Sequence, residues 1–228
     1  MPVIARLAKE KGALTIAIVT LPFSNEGARR TRNARLGLEK LRKSADTVIV
    51  IPNDKLLQDD IMNLPLNLAF RHADEILGNA IKCMTEITSH GRLVNIDFAD
   101  MRSIMDGGGV AMIGMGEGQG ANRASDAVIA ALTSPLLELD IAESKGALVN
   151  VTGGDDMTLQ EAHEVVKEVH SKINKDARII WGASVDSTLE HQIRVMLVVT
   201  GVKSSQILGP SSGVDDEMQN RYGIEFVH

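Results

Sequence analysis

The 228 residues can bury a sizeable core, and 44% hydrophobic with 24% charged residues is the balance of an ordinary globular protein of one large domain or two small ones. A net charge of −6 speaks against bulk affinity for nucleic acid or an anionic membrane, and 3% aromatics against a base-stacking platform. One cysteine, Cys83, rules out an internal disulfide, and no apolar run approaches the ~18 residues of a membrane span, so the expectation is a soluble intracellular chain.

Pro2 suits a first helical turn, Val3, Ile4, Leu7 and Ala8 give that helix an apolar face, and Gly12 ends it. The run 14–19 is continuously apolar, as in a parallel strand covered on both faces. A helix feeding such a strand needs an earlier strand to cross over from, which predicts a truncated start. The loop Leu21-Pro22-Phe23-Ser24-Asn25-Glu26-Gly27 then falls at the strand's carboxyl end, where open α/β sheets bind ligands. A basic helix follows with Arg29, Arg30, Arg32, Arg35, Lys40, Arg42 and Lys43, which reads as a solvated face. Arg30 stands apart because it lies one turn after Glu26. A second buried-type strand, 47–51, delivers Pro52-Asn53-Asp54 to its own carboxyl end.

Asn63 and Pro65 open a helix to about His90, ~38 Å long at 1.5 Å per residue, with one apolar stripe. Phe70 and Asp74, four apart near its start, can meet one ligand, or be a core aromatic and a solvated acid. Next comes Asn95-Ile96-Asp97-Phe98-Ala99-Asp100, whose carboxylates three apart can orient a water or metal ion, while Asp97 equally suits the N-cap of a helix through Met105. Past Gly107-Gly108-Gly109, a strand is expected over 109–114, then a structural glycine-rich turn, 115–120, into a helix over 121–132. A strand over 147–151, a helix opened by the capping box Thr158-Leu159-Gln160-Glu161, and strands over 179–183 and 192–201 complete the pattern. His163 and His170 lack metal-ligand spacing. From Lys203 the composition turns polar, with a short edge strand expected around Ile224, Phe226 and Val227.

Taken in order, several of these segments resemble the tubulin/FtsZ superfamily, and within it FtsZ of the archaeal type. They are Pro2-Val3-Ile4-Ala5-Arg6 through 16–20, Pro22-Phe23 with Glu26-Gly27 and Arg30, Ile51-Pro52-Asn53-Asp54-Lys55-Leu56, Phe70 to Asp74, and 95–100. Gly114-x-Gly116, Arg123-Ala124 and Ser134-Pro135-Leu136-Leu137 extend the match through about residue 203. The resemblance implies an α/β fold: an incomplete Rossmann-like GTP-binding domain (1–62), a long central helix (63–90), a second α+β activation domain with a mixed sheet (91–203) and a polar tail (204–228).

It also implies a cell-division GTPase that stacks head to tail, at the division site in the cytoplasm, with GTP or GDP as ligand and Mg²⁺ as its optional companion. In that reading Asn95, Asp97 and Asp100 complete the GTPase site of the adjacent subunit. Phe70 stacks on guanine, Asp74 accepts its hydrogen bonds, Glu26 meets the ribose and Arg30 the ribose or phosphates, with Pro22, Phe23 and Asn53 lining the same pocket. The partners implied are copies of the same chain or a full-length FtsZ, and other division proteins, without nucleic acid or direct membrane insertion. The family's glycine-rich phosphate loop lies before the residue matching Pro2, so the expectation is weak GTP binding and no autonomous turnover by this polypeptide. Two rivals follow: a non-catalytic assembly or capping partner of an intact FtsZ, and a tubulin-like cell-shape protein.

Overall fold

The computed structural model describes residues 1–56, 66–87, 93–94, 96–137, 141 and 144–202. The expected tail, its edge strand and Asn95 lie outside the described residues. Pro2–Glu10 forms α1, Ile16–Leu21 β1, Ala28–Ser44 α2, Thr47–Pro52 β2, Leu66–Ile87 α3 and Phe98–Met105 α4. Gly109–Gln119 is β3, Arg123–Leu132 α5, Gly146–Gly153 β4, Leu159–Lys172 α6, Arg178–Val185 β5 and Gln192–Thr200 β6. Short 3₁₀ turns at Ser24–Glu26, Asn53–Leu56 and Pro135–Leu137 punctuate the chain.

The strands make one six-stranded sheet in the order β1-β2-β3-β6-β4-β5. β1, β2 and β3 are mutually parallel, β6 runs antiparallel between β3 and β4, and β5 is parallel to β4. The sheet is therefore mixed, and it continues across α3 through the pairs Thr47↔Gly109, Val48↔Val110 and Ile49↔Ala111.

Strand alternation divides the core into two faces. Val48, Val50, Val149, Val195 and Leu197 pack with Leu38 and Leu41 of α2, Val128 of α5 and Val165 of α6. Ile49, Ile51, Ile113, Leu148 and Val198 point the other way, onto Ala80, Cys83, Met84 and Ile87 of α3 and Met101, Ile104 and Met105 of α4. All the core strands read as near-continuous apolar runs because helices cover both faces. β1 is an edge strand whose apolar residues are mostly half-buried, and Val3, Ile4 and Leu7 of α1 beside it are 60%, 70% and 53% exposed.

The glycine-rich segment 115–120 is the main correction to the sequence reading: all but Gly120 belongs to β3. Gly114, Gly116 and Gly118 fall on one face at the strand's two-residue period, and α5 lies directly against them. A Cβ at Gly116 would stand 2.2 Å from the Ala127 carbonyl, and one at Gly118 2.0 Å from that of Arg123. The glycines make a trough for a helix rather than a turn. The helix after them starts two residues later than expected, at Arg123.

Arg123 is buried under α6. It donates from Nε to Glu161 Oε1 at 2.6 Å, from Nη1 to Asp156 Oδ2 at 2.6 Å, and from Nη2 to the Asp156 carbonyl at 3.0 Å. Glu161 closes the expected capping box by accepting from the Thr158 N–H at 2.8 Å. No helix among the described residues is long and apolar enough to cross a membrane.

Candidate functional site

The candidate residues fall into two groups. The first gathers at the carboxyl ends of β1 and β2. Leaving β1, the chain turns through Pro22 and the buried Phe23 into the Ser24–Glu26 3₁₀ turn. Asp54, arriving at the end of β2, accepts from the Ser24 N–H at 2.8 Å and from its hydroxyl at 3.0 Å. Glu26 accepts the Phe23 N–H through Oε1 at 2.9 Å and binds Arg30 Nη1 through Oε2. The Arg30 guanidinium foremost, then the Phe23 N–H, hold the Glu26 carboxyl below its ordinary pKa. Any ligand here meets Glu26 and Arg30 as a joined pair.

A cavity of about 240 Å³ opens between these turns, lined in part by Pro22, Thr31, Arg35, Asn53, Asp54 and Lys55. Asn53 Oδ1 is buried without a hydrogen-bond partner among the described residues, which marks an acceptor waiting for a donor. Ser24, Thr31, Arg35, Asp54 and Lys55 were not named as ligand contacts in the sequence reading, although Ser24, Asp54 and Lys55 lie in segments it singled out. Asp54 alone carried a legible signal, as an acid following Pro-Asn at a strand's carboxyl end. Phe70 and Asp74 lie one turn apart at the start of α3, which packs against β1 and the Asn53–Leu56 turn, and Asp74 is exposed.

The second group sits on α4. Ile96 is buried against Gly182, and Val94 bridges Ala183 through two backbone bonds of 3.2 Å, fixing the entry of the loop on β5. Asp97 caps α4, its Oδ1 accepting the Ala99 N–H. Asp100 follows in the first turn, and both carboxylates are exposed. Phe98 between them is 53% exposed, an unusual place for an aromatic ring in a chain with so few.

The second half of α4 lies at the amino ends of β1 and β2, whose carboxyl ends carry the first group. Arg102 of α4 donates from Nη2 to the Gly12 carbonyl at 3.0 Å, in the turn that leads into β1. Met105, at the end of α4, accepts from the hydroxyl of Thr47, the first residue of β2. Both contacts are at the amino ends of strands six residues long, ~20 Å at ~3.3 Å per residue, whose carboxyl ends carry the first group. Among the described residues no group of three or more His, Cys, Asp or Glu converges as a metal cage. Asp97 and Asp100 offer two exposed carboxylates, too few by themselves to encage a Mg²⁺ ion.

Residues 1–60 match the GTPase domain of the tubulin/FtsZ family, and 109–203 match the C-terminal domain of the FtsZ family. The chain is 55% identical over 226 residues to cell division protein FtsZ 1 of Archaeoglobus fulgidus, covering 99% of this chain and 60% of that protein. It is 55% identical over 216 residues to cell division protein FtsZ of Methanothermobacter thermautotrophicus, covering 95% and 56% respectively. The chain thus spans about three-fifths of the curated relatives' length. An empty FtsZ dimer of Methanocaldococcus jannaschii superposes with a TM-score of 0.84 at 51% identity, over 88% of this chain and 58% of that one. The GDP-bound CetZ1 monomer of Haloferax volcanii superposes at 0.73 over 96% of this chain and 64% of that one. At 19% identity that likeness speaks to fold alone.

Proposed function

Because the chain belongs to the tubulin/FtsZ family, we propose that it works in an FtsZ-type cell-division GTPase, with 95–100 completing the nucleotide site of an adjacent subunit. The observation that carries this reading is that α4, which bears Asp97 and Asp100, ends at the amino ends of β1 and β2, whose carboxyl ends bear the first group. A head-to-tail neighbour brings the exposed carboxylates of one chain onto the carboxyl strand ends of the next. Such a contact does not close and so propagates into a filament.

Phosphoryl transfer asks the protein mainly to position groups and stabilise charge. Asp97 and Asp100 orient and polarise the attacking water, and Asn95 hydrogen-bonds near the γ-phosphate. On the receiving subunit, Phe70 stacks on guanine and Asp74 accepts from its N–H groups. Asn53 Oδ1 takes a further base or ribose donor, with Pro22 and Phe23 forming the wall. The Glu26–Arg30 pair faces the ribose and the phosphates. Residues 1–62 serve as the nucleotide side, 63–90 as the connecting helix and 91–203 as the activating side, located at the division site.

In this reading the chain's own contribution to a neighbour's reaction is the loop it lends. A non-catalytic assembly partner is the alternative, and the identity to cell-division relatives argues against the cell-shape role.

The test uses a full-length archaeal relative whose own loop aspartates are replaced by alanine, so that turnover depends on an added loop. Adding this chain should restore phosphate release from GTP, and the Asp97→Ala chain should not. GTP turnover by the chain alone would refute trans-only action. Failure to restore release despite demonstrated binding would refute the loop's role.

A further inference from the structure

α4 is held on the core by buried Met101, Ile104 and Met105 and by the Thr47 hydroxyl on the Met105 carbonyl. Its first turn presents Phe98, Ala99 and Asp100 to solvent, over buried Met101 and, just before the helix, buried Ile96. One exposed side chain adds a further tie. Arg102 reaches out of the helix to donate from Nη2 to the Gly12 carbonyl at 3.0 Å, a contact between residues ninety apart in sequence. Its guanidinium carbon also stands 5.6 Å from the centroid of the Phe98 ring, four residues earlier on the same helix.

The acceptor is itself held in place. Gly12 has φ +79°, a left-handed conformation that favours glycine, and closes α1 just before β1. Next to it, buried Asp46 accepts from Lys9 Nζ at 2.8 Å and from the Thr15 N–H at 2.8 Å, and adds a weaker coulombic attraction for Arg102. The α1–β1 turn is thus tied to Asp46 through Lys9 and Thr15, and Arg102 is the strut resting on it through the Gly12 carbonyl.

We propose that Arg102 is a positioning residue that ties the Phe98–Asp100 turn to the α1–β1 turn and so sets the angle at which Asp97 and Asp100 meet a neighbour's nucleotide. This rests on the loop reading above. It adds that the carboxylates are aimed from the nucleotide side of their own chain. A shift in that side at Gly12 would move them, giving a mechanical link between the two ends of one subunit.

The guanidinium matters for shape as well as charge, since a planar fork can stack on Phe98 and hydrogen-bond a carbonyl at once. Lysine at 102 keeps the charge and loses the stacked fork. Methionine keeps the stem and loses both.

Two measurements test this. In the restored-turnover assay, Arg102→Met should lower kcat about five- to tenfold with KM for GTP unchanged, and Arg102→Lys should fall between it and wild type. Asp97→Ala run alongside shows whether the loop acts at all. If that change abolishes turnover while Arg102→Met keeps full kcat, the strut is refuted and the loop reading stands. Hydrogen exchange on the full isolated chain needs no turnover. Arg102→Met should speed exchange at the first-turn amides of 99–101 at least threefold, leaving core amides such as that of Val149 unchanged. Unaltered exchange at 99–101 overturns the proposal whatever the assay gives. A rise in exchange spread equally over the core also overturns it, because that signals plain destabilisation.

Discussion

Acid should unpick one identifiable joint of this fold. Glu161 is held at a pKa of about 2, against an ordinary 4.5, first by its hydrogen bond to Arg123 and then by the donors of Thr158. At ~1.36 kcal/mol per pH unit, that depression corresponds to at most ~3.4 kcal/mol of stability. The side chain is 21% exposed and shares its arginine with Asp156, so about 2 kcal/mol is the working figure. Because the folded pKa lies below the unfolded one, this contribution is complete above pH 4.5 and drains away as the pH falls towards 2.

Glu161→Gln isolates the joint. Glutamine can still close the capping box on Thr158 but brings no charge to a guanidinium that stays buried. Urea unfolding at pH 7 should show a loss of about 2 kcal/mol in the variant. The wild-type advantage should shrink steadily at pH 4, 3.5 and 3. A variant that retains full stability at pH 7, or that falls with acid as steeply as wild type, would refute the assignment to Glu161.

Gly116→Ala places a methyl against the backbone of α5 and should cost about 2–4 kcal/mol in urea unfolding, whereas Ala at Gly78, where nothing lies within 4 Å, should be neutral or mildly stabilising. Asp54→Ala removes the acceptor of both Ser24 donors. It should weaken binding of a fluorescent GDP analogue about three- to tenfold in an otherwise intact relative carrying the change at the matching position, with Asp54→Asn recovering part of it. Asp97→Asn should keep the α4 cap, holding stability within ~0.5 kcal/mol of wild type, yet abolish restored GTP turnover. Asp97→Ala should lose both, with about 1 kcal/mol of stability.

What the sequence disclosed follows from the range of the interactions concerned. Strands β2, β4 and β6 were readable because burial on both faces demands unbroken apolar runs, and α6 because a capping box is a local, four-residue device. The trough of Gly114, Gly116 and Gly118 was misread as a turn. Glycine is ambiguous between positive φ and close approach, and only the position of α5 decides between them. The same limit applies to function. Glu26 and Arg30 are one turn apart, so their pairing could be anticipated from spacing. Asp54 gripping Ser24 and Arg102 reaching Gly12 join segments 30 and 90 residues apart, which no local pattern encodes.

Capping and the catalytic role proposed for Asp97 need not compete. Capping occupies a single oxygen, Oδ1, with the Ala99 N–H, and leaves the exposed Oδ2 for another partner. The cap also makes the residue better suited to chemistry, because a carboxylate pinned through one oxygen loses rotamer freedom before a substrate arrives. In the proposed filament, an aspartate that caps the helix of such a loop would be aimed at a neighbour by the fold of its own subunit, and the bond from Arg102 to the Gly12 carbonyl would connect that aim to β1.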